Sequence, residues 1–207
     1  KITLASKRLS IMPRPLDSFS MTLDLNPFKT ISSRIAWSCP WYRVRQDEIV
    51  TLDGQPGVYN VIEKADAVWI VPLTTQGKLA MVHQFRYTVG EWCLEVPAGS
   101  VKTGQTIEEA ARDELREEVG GTASSLDYLG RFFLANGICN EVGHIFLATG
   151  VVLGNPSHES AEVMSVTLKS PDEAIRMART GKISDGPSAL ALLLCAERLT
   201  ALRPDEP

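Results

Sequence analysis

Three glutamates, Glu114, Glu117 and Glu118, stand at i, i+3 and i+4 in the segment GSVKTGQTIEEAARDELREEVGG, residues 99–121. On a helix turning by about 100° per residue they share one face. Glu109 and Asp113 deepen the negative field. Like charges at these spacings repel by roughly 0.2–0.5 kcal/mol per exposed pair. Such a face is compensated either by water, as plain solvated surface, or by a cation. A hard ion such as Mg2+ or Mn2+ takes carboxylate and carbonyl oxygens and needs neither His nor Cys. It would neutralise a pyrophosphate and open its phosphorus to an activated water. The loop Pro97-Ala98-Gly99 follows a strand-like run and would bring backbone carbonyls beside the helix.

The elements that must position these groups are legible in the pattern. Thr106 and Glu109 fit a capping box. Ile107, Ala110, Ala111, Leu115 and Val119 recur at helical spacing, and Gly120-Gly121 supplies a stop. Upstream, WYRVRQDEIVTL alternates from Trp41 and ends at the hairpin signal Asp53-Gly54, with GVYNVIEK as its partner. Residues 67–73, 78–87 and 92–96 read as further strands, as do 128–134, 144–152 and 163–168 after the helix. Ser170-Pro171 opens a helix to Arg179, and an apolar helix spans 188–202. Strands, helix, strands, helices predicts an α+β layered domain. Residues 1 to about 35 lack sustained periodicity, and residues 1–40 are expected to be an N-terminal tail or arm, partly disordered. Residues 41–65 are expected to form a strand region and 66–203 the main domain, which carries the acidic helix. The first twenty residues are basic and Ser-rich, as in a targeting remnant or a disordered tail.

A chain of 207 residues, 44% hydrophobic, is large enough for one well-buried core. Its net charge of −4 argues against a general nucleic-acid or anionic-membrane binder. A metal ion would supply the positive charge that a phosphorylated substrate needs. No apolar stretch reaches the ~18 residues of a membrane span. Cys39, Cys93, Cys139 and Cys195 are widely spaced and form no CxxC pair, which fits reduced thiols in a cytoplasmic protein. The histidines show no metal-ligand spacing; His83 and His144 fall in strand-like runs and read as structural.

The acidic segment resembles the Nudix box, G-x5-E-x7-R-E-U-x-E-E-x-G-U, where U is a bulky aliphatic. Gly99, Glu114, Leu115, Glu117, Glu118 and Gly120 are in register. Gln105 stands where the box has its first Glu, Asp113 where it has Arg, and Gly121 where it has the last aliphatic. The flanking stretches QFRY (84–87), LEVPAG (94–99) and GKISDGPSALAL (181–192) resemble the ADP-ribose pyrophosphatase branch of that family.

The resemblance covers roughly residues 41–202. It implies a Nudix-type α/β/α sandwich around a mixed sheet, with an N-terminal strand region used in a homodimer. The implied activity is Mg2+-dependent hydrolysis of the pyrophosphate in ADP-ribose or a related nucleoside diphosphate sugar. By the same resemblance the Ala98 carbonyl, Glu114 and Glu118 are metal ligands and Glu117 an accessory carboxylate. Glu162 is the general base, with Glu159 as the nearby alternative. Arg86 reaches the substrate phosphates, Lys64 is a basic residue contributed across the dimer, and Tyr59 stacks on the base. A GDP-sugar or dinucleotide substrate, or a catalytically weak nucleotide-binding module, are the competing implications. Asp113 cannot orient the glutamates as the box arginine does. The exchange of Glu for Gln105 and Arg for Asp113 leaves the local charge unchanged, which suggests that the two are coupled. Arginine restored at 113 is expected to keep or raise activity, unless Asp113 has a partner of its own.

Overall fold

The computed structural model describes residues 26–158 and 163–202. Three N-terminal strands, β1 (Lys29–Ser38), β2 (Arg43–Val50) and β3 (Pro56–Glu63), form a sheet in the order β1-β2-β3. The Asp53-Gly54 turn joins β2 to β3 as its sequence predicts, with Gly54 at φ 82°. Strand β1 lies within the stretch that reads as a tail or arm; every residue along it is exposed, so no burial period marks it in the sequence.

The described residues divide into two compact units, 26–33 with 47–59, and 34–46 with 60–158 and 163–202. In the first, the rings of Phe28 and Tyr59 lie 6.3 Å apart and Ser32 donates to Glu48 at 3.0 Å.

The second unit holds a mixed sheet of eight strands: β4 (Ala67–Thr74), β5 (Leu79–Arg86), β6 (Glu91–Glu95), β7 (Ala98–Ser100), β8 (Gly121–Thr122), β9 (Ser125–Phe133), β10 (Val142–Leu153) and β11 (Met164–Lys169). Its main path runs β11-β5-β4-β10-β8, with β6 on β5, β7 on β4 and β9 on β10. Strands β4 and β10 run parallel; the other pairs are antiparallel. Helix α1 (Ile107–Val119) covers one face, and α2 (Pro171–Arg179) and α3 (Gly186–Ala201) cover the other.

Strand β4 shows why the sheet must be covered twice. All eight of its residues are buried. Ala67, Trp69, Val71 and Leu73 join the core under α2 and α3, while Val68 and Ile70 join the core under α1. This is the period of two, read on both sides of a central strand. Each fully buried Val or Ile contributes roughly 1.5–3 kcal/mol. The α+β layering expected from the order of elements, and the α/β/α sandwich around a mixed sheet that the resemblance implies, are therefore the arrangement observed. Strands β7 and β8, of three and two residues, carry too little pattern to be read from sequence. Among the described residues no helix is long and apolar enough to cross a membrane.

Candidate active site

Helix α1 begins and ends as its sequence dictates. Thr106 accepts from the Glu109 N–H at 3.2 Å, and Glu109 accepts from the Thr106 N–H at 2.8 Å, closing the capping box. Ala110, Ala111, Leu115 and Val119 are buried, and Gly120 ends the helix at φ 66°. A Cβ on Gly120 would lie 2.5 Å from the Gly154 carbonyl oxygen, so both backbone conformation and space demand glycine there.

The last carbonyls of a helix have no partner within it. Here a distant segment supplies three. Gly154 N donates to Gly120 O, Ser157 N to Glu117 O, and His158 Nε2 to Glu118 O, each at 2.8 Å. Since the carbonyl only accepts, the His158 proton sits on Nε2. His158 carries no motif in the sequence, and its role in capping the acidic helix was not legible there.

The carboxylates differ in setting. Glu118 is 5% exposed, and its Oε2 accepts from the Ala98 N–H at 3.1 Å. Glu114 lies against Gly99 so closely that a Cβ there would come within 2.1 Å of the Glu114 carboxyl group. Glu117 is more open, 3.7 Å from Arg116 and 3.9 Å from Lys102. Ala98, Glu114 and Glu118 are thus brought together around the β7 backbone. Among the described residues no three Asp, Glu, His or Cys side chains converge as a complete metal cage. Two carboxylates and a backbone carbonyl are an all-oxygen set that suits Mg2+, which keeps several waters and leaves room for substrate oxygens. Because Gly99 has no side chain, the Glu114 carboxyl group has room to lie against the β7 backbone, which fits the same reading.

Arg86, at the end of β5, grips Glu95 with Nε at 2.8 Å and Nη2 at 2.5 Å. Glu95 is 2% exposed, and the pair fixes the guanidinium plane. The Glu95 hydrogen bond holds the Arg86 pKa above its ordinary value against the opposing effect of burial; the charges of Glu95, Asp185 and Glu118 add to the rise. Two of its five N–H donors are spent on Glu95, leaving three for an anion. Arg86 lines a cleft of about 510 Å3 with Glu91, Cys93, Glu95, Ser184 and Asp185. Asp185 also caps α3, accepting from the Ser188 N–H at 2.9 Å.

Lys64 is 2.7 Å from the carboxylate of Glu141, a residue only 3% exposed, so its ammonium has an ionic partner within its own chain. It borders a second cleft, of about 390 Å3, with Trp41, Tyr42, Arg43, Glu63 and Asn140. Trp41 (78% exposed) and Tyr42 were not singled out from sequence; an aromatic pair at a strand's start reads equally as strand propensity. Tyr59 belongs to the first unit, where it packs beside Phe28. Glu159 and Glu162 lie outside the described residues.

The two departures from the box prove to be partners. Gln105 Nε2 donates to Asp113 Oδ2 at 2.8 Å, and Arg116 Nη2 lies 2.7 Å from Asp113 Oδ1. Gln105 Oε1 accepts in turn from the Lys102 N–H at 3.1 Å. The coupling suggested by their compensating charges is thus a direct contact. Asp113 is an integrated group and does more than add negative charge.

A mixed sheet between helical layers, with a carboxylate helix packed on the loop that precedes it, is the architecture of a Nudix hydrolase. Residues 63–190 match the NUDIX domain, and the chain belongs to that family. Over 177 residues it is 33% identical to an ADP-ribose pyrophosphatase of Mycobacterium tuberculosis, covering 84% of each chain. Over 169 residues it is 28% identical to an ADP-ribose pyrophosphatase of Bacillus subtilis, covering 79% of this chain and 90% of the relative. The crystal structure of an ADP compounds hydrolase superposes with a TM-score of 0.74 at 20% identity, covering 86% of this chain and 96% of that one, a likeness of fold.

Proposed function

We propose that this Nudix hydrolase cuts the pyrophosphate bond of ADP-ribose or a related nucleoside diphosphate sugar, with Mg2+ or Mn2+ as cofactor. The products are a nucleoside monophosphate and a sugar phosphate. The observation that carries the reading is the pairing of two carboxylates, Glu118 on the Ala98 N–H and Glu114 in the Gly99 hollow, with an arginine held in the same electrostatic field. The relatives named ADP-ribose pyrophosphatases, which cover most of the chain, support the substrate class.

In this reading the Ala98 carbonyl, Glu114 and Glu118 hold the metal, with Glu117 as accessory carboxylate. When bound, the ion neutralises charge on the pyrophosphate and acidifies water. Arg86 binds a phosphate through the donors that Glu95 leaves free. Glu162 is the proposed general base and Glu159 the alternative. Lys64 and Tyr59 bind substrate, and Trp41 is added to them as an exposed ring beside Lys64. Residues 66–203 form the catalytic part. Residues 41–65 build the pocket in a homodimer, which the exposed Ile31, Ile35 and Trp37 of β1 also favour. Four free thiols support a cytoplasmic setting.

The test is a panel of nucleoside diphosphate derivatives, each assayed for monophosphate release with and without Mg2+, and light scattering at micromolar concentration for the dimer. Turnover confined to dinucleotides or GDP-sugars would replace the substrate assignment. Absence of turnover on the whole panel would overturn it.

A further inference from the structure

Glu117, on the face proposed to hold the metal, is flanked by charges of the opposite sign. Its Oε1 lies 3.7 Å from Arg116 Nη2 and its Oε2 3.9 Å from Lys102 Nζ. Both separations exceed hydrogen-bond length, so the attraction is Coulombic and leaves the carboxylate oxygens open to another partner. The same Arg116 nitrogen lies 2.7 Å from Asp113 Oδ1. Asp113 Oδ2 accepts from Gln105, and Gln105 Oε1 accepts from the Lys102 N–H. These contacts form a circuit that begins at the backbone of Lys102 and returns to its side chain. Asp113 and Glu117 stand four residues apart on one helix face, where like charges repel. Arg116 lies between them, and its contact with Asp113 restrains it beside Glu117.

We propose that Arg116 and Lys102 are counter-charges that tune the metal face. They offset Glu117 and so raise the Mg2+ concentration at which Glu114, Glu117 and Glu118 take up the ion. The inference rests on the proposed metal role of that face. An ion seated at Glu114 and Glu118 feels both cations, because charges interact over about 8 Å at physiological ionic strength. Positions 102 and 116 are ones that the Nudix box leaves unspecified, so this tuning belongs to the chain itself. It also gives Asp113 a role beyond its bond to Gln105: it anchors the guanidinium that faces Glu117.

The test is calorimetric titration of the full chain with Mg2+ alone, without substrate. Arg116→Ala and Lys102→Ala should each tighten Mg2+ binding roughly two- to fivefold in ~20 mM salt, the size of one exposed charge pair. Arg116 and Lys102 are 60% and 63% exposed, so salt screens them. In ~1 M salt, where the screening length is about 3 Å, the gain should all but vanish. Arg116→Lys keeps the charge and should bind as the parent does. Arg112→Ala, whose guanidinium pairs with Glu108, should change the affinity less than Arg116→Ala does. Lys102→Ala removes no side-chain hydrogen bond, so it decides the matter if loss of the Arg116–Asp113 contact disturbs the fold. Unchanged Mg2+ binding in Arg116→Ala and Lys102→Ala overturns the inference. Weaker binding overturns it too, since the cations would then position Glu117 for the metal and not compete with it. So does a gain that survives ~1 M salt, because a Coulombic effect between exposed groups cannot. A parent that binds no Mg2+ removes the metal reading and this inference with it; a parent that binds, matched by its variants, removes the inference alone.

Discussion

The Gln105–Asp113 pair offers a sharp test, because it replaces the pattern expected of the family with a different but complete one. Asp113→Arg removes the hydrogen bond from Gln105 at 2.8 Å and the contact to Arg116 at 2.7 Å, and sets two guanidinium groups three residues apart. A hydrogen bond to a charged group contributes about 1.5–3 kcal/mol; the Asp113 side chain is 34% exposed, so the lower end applies. The Arg116 pair adds roughly 0.3–0.5 kcal/mol. Against this, an arginine at 113 faces Glu109 and Glu117 at i−4 and i+4, each worth roughly 0.3–0.5 kcal/mol. The net loss is about 1–2 kcal/mol, which for a domain of this size lowers the melting temperature by roughly 2–8 °C.

Gln105→Glu alone should also destabilise, since it sets a carboxylate against Asp113. The double variant, Gln105→Glu with Asp113→Arg, recreates a Glu–Arg pair and should recover most of both losses, a coupling of about 1–3 kcal/mol. Thermal unfolding of the four proteins, with kcat/KM alongside, measures this directly. If the double variant loses the sum of the two single losses, the pair is not a unit and the reasoning fails. A single Asp113→Arg variant as stable as the parent would refute it equally.

Three further outcomes are expected. Glu118→Gln keeps an acceptor for the Ala98 N–H but loses the charge; the Mg2+-induced rise in melting temperature should vanish and activity drop at least ~100-fold, and a parent-like response would remove Glu118 from the ligand set. Gly99→Ala drives Glu114 out of its hollow; because the clash is with the end of a flexible side chain, stability should change by under ~1 kcal/mol while activity falls about 100-fold, and unchanged turnover would show that the position of Glu114 is immaterial. Burial pushes the Cys195 thiol up to about 12 from 9.0, so its contribution to stability is complete below pH 9 and is lost as pH rises from there toward 12. The parent's melting temperature should fall more steeply across that window than that of Cys195→Ala, and parallel curves would contradict the assignment.

The acidic helix was legible from sequence because its determinants are local. The capping box, the apolar period and the terminal glycine act within a few residues of each other, and they fix the face that carries Glu114 and Glu118. The central strands were legible for a similar reason: β4 and β5 are short apolar runs bounded by turn signals. What α1 faces is another matter. That Glu118 reaches the Ala98 N–H, that Arg86 closes on Glu95, and that Gly154, Ser157 and His158 cap α1 from about 40 residues away all depend on which strands lie side by side. The meaning of Asp113 lies between the two. Its departure from the box is plain in the sequence, and the compensating change at Gln105 hints at a contact. Only the fold of the loop before α1 brings the two side chains to 2.8 Å, and only that contact turns an unexplained negative charge into a hydrogen-bonded one. The orphaned oxygen of Gln84 is wholly tertiary: a glutamine in a strand is polar anywhere, but it is unsatisfied only once the packing of β5 between β6 and β11 has buried it away from water.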